Sequence, residues 1–126
     1  MNAVGPFVVQ NRTRGATLAA NVRLADTPRS RRIGLLRHDR LEPGEGLWIY
    51  PTKAIHTFGM RFPIDVAFLD RRLRVKRMYH RLPPFRWTTL VLGAQSVLEL
   101  ASGSLAGTGT VIGDELQFSL SEVPPA

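Results

Sequence analysis

The run Pro63-Ile64-Asp65-Val66-Ala67-Phe68-Leu69-Asp70 constrains this chain more than any other stretch. Side chains alternate along an extended backbone, so Ile64, Val66 and Phe68 line one face and Asp65, Ala67 and Leu69 the other. A carboxylate set in a buried apolar strand is costly unless it is paired or hydrogen-bonded. Asp70-Arg71-Arg72 marks a reversal, and Leu73 to His80 returns as the partner strand. No Gly or Asn is present for a tight primed turn, so this hairpin needs a looser loop or a bulge. Just upstream, Ile55 to Phe62 places His56, Phe58, Met60 and Phe62 on one face if it too is extended.

The remaining segments are short and punctuated by Gly and Pro. Val4 to Asn11, with Phe7-Val8-Val9, and Ala16 to Ala25 read as a hairpin across Arg14-Gly15. Asp26-Thr27-Pro28 opens a helix to about Leu36, because Asp26 or Thr27 can cap free amides and Pro28 needs no amide partner. Leu47 to Tyr50 is a strand stopped by Pro51, and Ser96 to Leu100 is an inner strand. Ser102 or Ser104 can cap a one-turn helix ending near Gly107 or Gly109. Glu115 to Leu120 is a last strand, and 121–126 is a frayed tail. The pattern predicts a mainly β fold, a small sandwich or barrel of short antiparallel strands with one or two short helices. The βαβ alternation of a doubly wound fold is absent.

A length of 126 residues suits one domain, with its core over about 5–120. There is no cysteine, which excludes disulfides, thiolate metal sites and cysteine nucleophiles. The N-terminus carries no signal-peptide pattern and no apolar run approaches a bilayer span, so a soluble, cytoplasmic protein is expected. Fifteen of the seventeen basic residues are arginine, and the net charge is +7. Arg71, Arg72, Arg74, Lys76 and Arg77 form the one dense basic run. It can bind phosphates or protect a strand edge from aggregation.

His56 is the residue best suited to chemistry, since imidazole titrates near neutral pH unaided. It can serve as a base or ligand, or sit in the core satisfied by a backbone carbonyl. Asp65 and Glu99 each interrupt an apolar strand, and with Arg61 or Arg37 they can form a pocket or an internal salt bridge. Asp65 can equally cap amides freed near Pro63. No metal spacing, serine-nucleophile turn or phosphate-cradling glycine motif occurs, so no metal or cofactor is expected. Among the aromatic residues, Trp48 reads as a pocket wall or core, and Trp87 as the best candidate for an exposed ring.

Ordered motifs resemble the DUF192 family: Gly34-Leu35-Leu36-Arg37, Leu41, Gly46-Leu47-Trp48-Ile49, Thr57 through Asp70, Val97-Leu98-Glu99-Leu100, Gly103 and Gly113-Asp114. The resemblance covers about Val22 to Leu116 and implies a compact β-rich domain of bacteria and archaea, with no established activity. Many members carry an export or lipoprotein signal, which this chain does not show. Many also have an aromatic-Met-Lys-Asn core where this chain has Gly59-Met60-Arg61-Phe62, and a hairpin Gly where it has Arg72.

These readings favour a non-enzymatic binding domain taking a small molecule or protein beside His56, Asp65 and Glu99, with Met60, Trp48 and Arg61 around them. A small hydrolase or lyase using His56 with a carboxylate is one alternative. Nucleic-acid binding through the basic hairpin at 71–77 is another.

Overall fold

The computed structural model describes residues 5–121. In chain order these form β1 (Phe7–Asn11), β2 (Ala16–Ala25), α1 (Pro28–Ile33), β3 (Glu45–Ile49), β4 (Ile64–Leu69), β5 (Val75–Leu82), β6 (Ser96–Ala101), α2 (Ser104–Thr108) and β7 (Leu116–Leu120). The strands make one sheet in the order β5-β4-β6-β3-β2-β1-β7, curled into a half-barrel. The fold is mainly β, as the sequence predicts. Its two edges meet at one end. There Val75 N–H donates to Asp114 C=O at 2.9 Å, Leu116 N–H to Leu73 C=O at 2.9 Å and Gly113 N–H to Val75 C=O at 2.8 Å.

The curl gives the sheet two buried faces. Val9, Val22, Leu69, Leu98, Leu100 and Leu116 fill the concave side together with Leu105 of α2. Ile49, Ile64, Val66, Phe68 and Val97 lie on the convex side under Leu35, Met60 and Phe62. Because both sides are covered, β4 and β6 are buried at every position. Gly46 of β3 fits between β6 and β2 only because it lacks a side chain: a Cβ there would lie 2.9 Å from Glu99 C=O and 2.9 Å from a Leu100 methyl.

One strand pair is parallel. β2 and β3 run side by side from Asn21↔Glu45 to Ala25↔Ile49, so α1 and its following loop form a crossover. A single βαβ unit is therefore present, although the sequence shows no such alternation. It carries α1 to the convex face. The helix starts on a capping box, with Thr27 Oγ1 accepting from Ser30 N–H at 3.0 Å and Ser30 Oγ accepting from Thr27 N–H at 3.0 Å.

Several sequence expectations are corrected. Residues 55–62 are not a strand: His56 alone bridges to Trp87, Met60 N–H turns back to Thr57 C=O at 3.2 Å, and Gly59 has φ +86°. The helix ends at Ile33, where Gly34 turns with φ +47°, and β3 begins earlier, at Glu45. β5 begins at Val75 instead of Leu73, since Asp70 Oδ1 accepts from both Arg72 N–H and Arg74 N–H and extends the reversal. α2 is capped by neither serine hydroxyl; Gly103 occupies its N-cap. Of the expected frayed tail, 122–126 lies outside the described residues.

Candidate functional site

A cleft of about 530 Å³ opens on the convex face. Pro28, Arg31 and Arg32 of α1 and the turn Ile33–Leu36 form one wall, and Thr52 and Ala54 to His56, with Met60, form the other. Ile49 of β3 and Glu99 of β6 supply sheet residues to the lining. The βαβ crossover builds this cleft, because it hangs α1 over strands that are distant in sequence.

Glu99 is 3 % exposed, and its Oε1 is buried without a hydrogen-bond partner. Among the described residues no ion pair reaches it. Burial pushes its carboxyl from 4.5 up to about 8, so it holds its proton at neutral pH. The local cause is register: Glu99 pairs with Leu47 on one side and Val66 on the other, both convex-face residues. No polar side chain stands in either neighbouring position. Arg31, half-buried in the opposite wall, likewise has no carboxylate within ion-pairing distance among the described residues.

His56 sits at the cleft's edge and is exposed. Its Nδ1 accepts the Phe58 N–H at 3.2 Å, so in the neutral ring the proton belongs on Nε2. The imidazole thus presents a donor, not a free basic nitrogen. Its ring packs against Phe58 at 5.8 Å and Trp87 at 5.9 Å between centroids. Met60 is buried in the wall.

The structure brings His56, Met60 and Glu99 to one cleft and places the other three candidates elsewhere. Asp65 pairs with Leu100, one step from the Val66–Glu99 pair, so its side chain leaves the opposite face of the sheet. There it is fully buried and accepts from Arg81 N–H at 2.9 Å, Gly103 N–H at 3.1 Å and Leu105 N–H at 2.9 Å. Trp48 also faces the concave side, stacked on Phe118 at 4.0 Å and edge-on to Phe7 at 5.4 Å. Arg61 is exposed and ion-paired with Asp39. Arg71, Arg72, Arg74, Lys76 and Arg77 are all exposed on the β4–β5 hairpin, away from the cleft lining.

Arg31 and Arg32, which line the cleft, are not among the residues that the sequence singles out. Sequence reasoning also missed two buried threonines that tie the segment around His56 to the one from Pro83 to Thr88. Thr57 Oγ1 donates to Pro83 C=O at 2.7 Å and accepts from Arg86 N–H at 2.9 Å, while Thr88 Oγ1 accepts from Ile55 N–H at 2.9 Å. A polar residue flanked by aromatics in each segment, Thr57 by His56 and Phe58 and Thr88 by Trp87, was the available signal. A third buried network, missed as well, joins the chain ends of the sheet: Asn11 Nδ2 donates to Asp114 Oδ2 at 2.9 Å and to Thr110 Oγ1 at 3.0 Å, and Arg14 Nε donates to Asp114 Oδ2 at 2.8 Å.

With this geometry in place, comparison with known proteins decides the family. The model of DUF192, described as an uncharacterised ACR, matches residues 9–118. The chain belongs to the DUF192 family. A UPF0127 protein from Thermococcus sibiricus is 31% identical over 120 residues, spanning 89% of this chain and 75% of the relative. Two crystal structures share the fold. One is a protein of unknown function from Novosphingobium aromaticivorans, with TM-score 0.77 and 19% identity, covering 93% of each chain. The other, from Sinorhizobium meliloti, is described as a candidate transcription regulator, with TM-score 0.78 and 20% identity, covering 94% of this chain and 98% of that one. These likenesses establish the DUF192 fold and no activity. Among the described residues no group of three or more His, Asp or Glu is placed to hold a metal ion, and no helix is long and apolar enough to cross a membrane.

Proposed function

We propose that this domain is a non-enzymatic binding module that takes a small molecule in the cleft over Glu99. The observation carrying this reading is the Glu99 carboxyl at an open cleft, with its Oε1 buried and without a hydrogen-bond partner. An unsatisfied polar group costs about 1–3 kcal/mol when removed from water, so an apolar side chain there would make a more stable sheet. A ligand that hydrogen-bonds to the carboxyl removes that cost on binding. The volume also fits, since small-molecule sites span roughly 300–1,000 Å³.

The lining describes the occupant. Leu35, Leu36, Ile49, Ile55 and Met60 suit an apolar body. Arg31 and Arg32 in the α1 wall suit an anionic group. At neutral pH the protonated Glu99 donates to a carbonyl or hydroxyl oxygen. The engaged Nδ1 of His56 favours binding over acid–base chemistry, because a general base needs a free basic atom facing its substrate.

Methyl-resolved NMR titration with hexanol and hexanoate tests the reading. Methyl signals of Leu35, Ile55 and Met60 are expected to shift with both probes, more strongly with hexanoate, and to stop responding in Glu99→Leu. Absence of any cleft response, or an unchanged response in a folded Glu99→Leu, would remove it.

A further inference from the structure

The segment from Pro83 to Gly93 turns large apolar side chains outward. Phe85 is 65% exposed, Trp87 74%, Leu90 61% and Leu92 79%. Single exposed apolar residues are ordinary, but four within eight positions are not. Nor is this a loose loop. Phe85 N–H donates to Thr57 C=O at 3.2 Å, Thr57 N–H to Arg86 C=O at 2.9 Å, Thr88 N–H to Ile55 C=O at 2.9 Å and Val91 N–H to Lys53 C=O at 2.9 Å. Thr88 and Val91 point inward and are buried, which anchors the backbone and leaves the large side chains facing out. The order is built in before any partner arrives, so little further ordering is needed on docking.

The charge around it has one sign. From Arg71 to Leu98 the sequence holds seven Lys and Arg and no Asp or Glu. That stretch alone accounts for a charge equal to the protein's net +7. Three of these cations lie beside the apolar segment. Arg77 Nη1 donates to Thr89 Oγ1 at 2.9 Å, the Lys76 side chain runs beside Gly93, and Arg86 lies between Phe85 and Trp87.

We propose that this face docks on an anionic lipid surface, with Phe85, Trp87, Leu90 and Leu92 entering the interface and the β5 cations meeting head groups. Trp and Phe favour the boundary between hydrocarbon and water, and clustered cations attract anionic leaflets. Single-stranded nucleic acid also attracts cations and aromatic rings, but it stacks on π-faces. Leu90 and Leu92 have none, and they make up half of the exposed apolar set. The inference is independent of the cleft.

Co-sedimentation of the full chain with phosphatidylcholine vesicles, with and without phosphatidylglycerol, tests it. Binding is expected only with phosphatidylglycerol, falling as salt rises. The exposed pair Leu90→Ser with Leu92→Ser should weaken it by about tenfold or more. Brominated lipid should quench tryptophan emission in the wild type and leave it unquenched in Trp87→Phe, whose remaining Trp48 is held on the concave face. Equal binding to both vesicles, no binding, or binding untouched by the leucine pair would each overturn the proposal. So would a single-stranded oligonucleotide that binds through Trp87 while vesicles do not.

Discussion

The Asp65 carboxylate and the Leu105 amide are hydrogen-bonded at 2.9 Å, which ties the middle of the sheet to the start of α2. The same carboxylate holds Gly103 N–H and, through its other oxygen, Arg81 N–H. Arg81 has φ +52°, so this bond fixes a strained residue inside β5 as well. Asp65→Ala would strip three backbone donors of their acceptor in a fully buried place. The expected loss is about 3 kcal/mol or more, read as a lower urea midpoint, with Asp65→Asn intermediate. A loss below about 1 kcal/mol would mean that these amides find other acceptors.

Glu99 gives the opposite kind of dependence. Its folded value of about 8 stands above the ordinary 4.5, so the folded protein binds a proton that the unfolded chain releases. Stability from this group is fully present below pH 4.5 and is lost as pH rises through about 8. The full loss is on the order of 5 kcal/mol as an upper bound. Glu99→Gln carries no titrating group and should flatten that limb of the stability profile. Urea unfolding at pH values across the window checks it; a wild type with no decline there would mean Glu99 stays ionised when folded.

These two carboxylates also mark how far sequence could go. Each is visible as an acid inside an apolar run, and the alternation of β4 correctly assigns Ile64, Val66 and Phe68 to one face. What decides their fates is inter-strand register, which is set by pairing across the sheet and leaves no local trace. One register step puts Glu99 against the cleft and Asp65 against α2. The cleft itself depends on a parallel β2–β3 pair, and nothing in either strand's own pattern separates parallel from antiparallel neighbours. The stretch around His56 departs from its strand pattern for a different reason. An apparent alternation through Phe62 suggests a strand where Gly59, at φ +86°, and the Met60 N–H bond to Thr57 C=O make a turn.

Asp114 sets the acid limb. Burial pushes its carboxyl up, but hydrogen bonds from Arg14, Asn11 and the Val111 amide, with the Arg14 charge, bring it below the usual 3.8. A depressed folded value stabilises the protein above the unfolded value, and that stability is lost as pH falls through the folded one. Removing Arg14 takes away the largest of the lowering influences. Arg14→Gln should therefore move acid unfolding to higher pH, followed by circular dichroism during acid titration. An unmoved midpoint would show that Asn11 and the Val111 amide suffice.

Two glycines separate the demands of packing from those of backbone freedom. Gly46 lies in β3, where an added methyl would meet Glu99 C=O and Leu100 at 2.9 Å, and neither the strand backbone nor a buried leucine can easily yield. Gly46→Ala should cost about 2 kcal/mol or more through overpacking between β2 and β6. Gly107 lies in α2, where nothing stands within 4 Å of an added Cβ. There Gly107→Ala restricts the unfolded chain and favours the helix, so it should stabilise by about 0.5–1 kcal/mol. Thermal unfolding of both variants tests the pair. Since the substitution is chemically the same, opposite signs can come only from the sheet's close approach at Gly46, and two losses of equal size would remove that explanation.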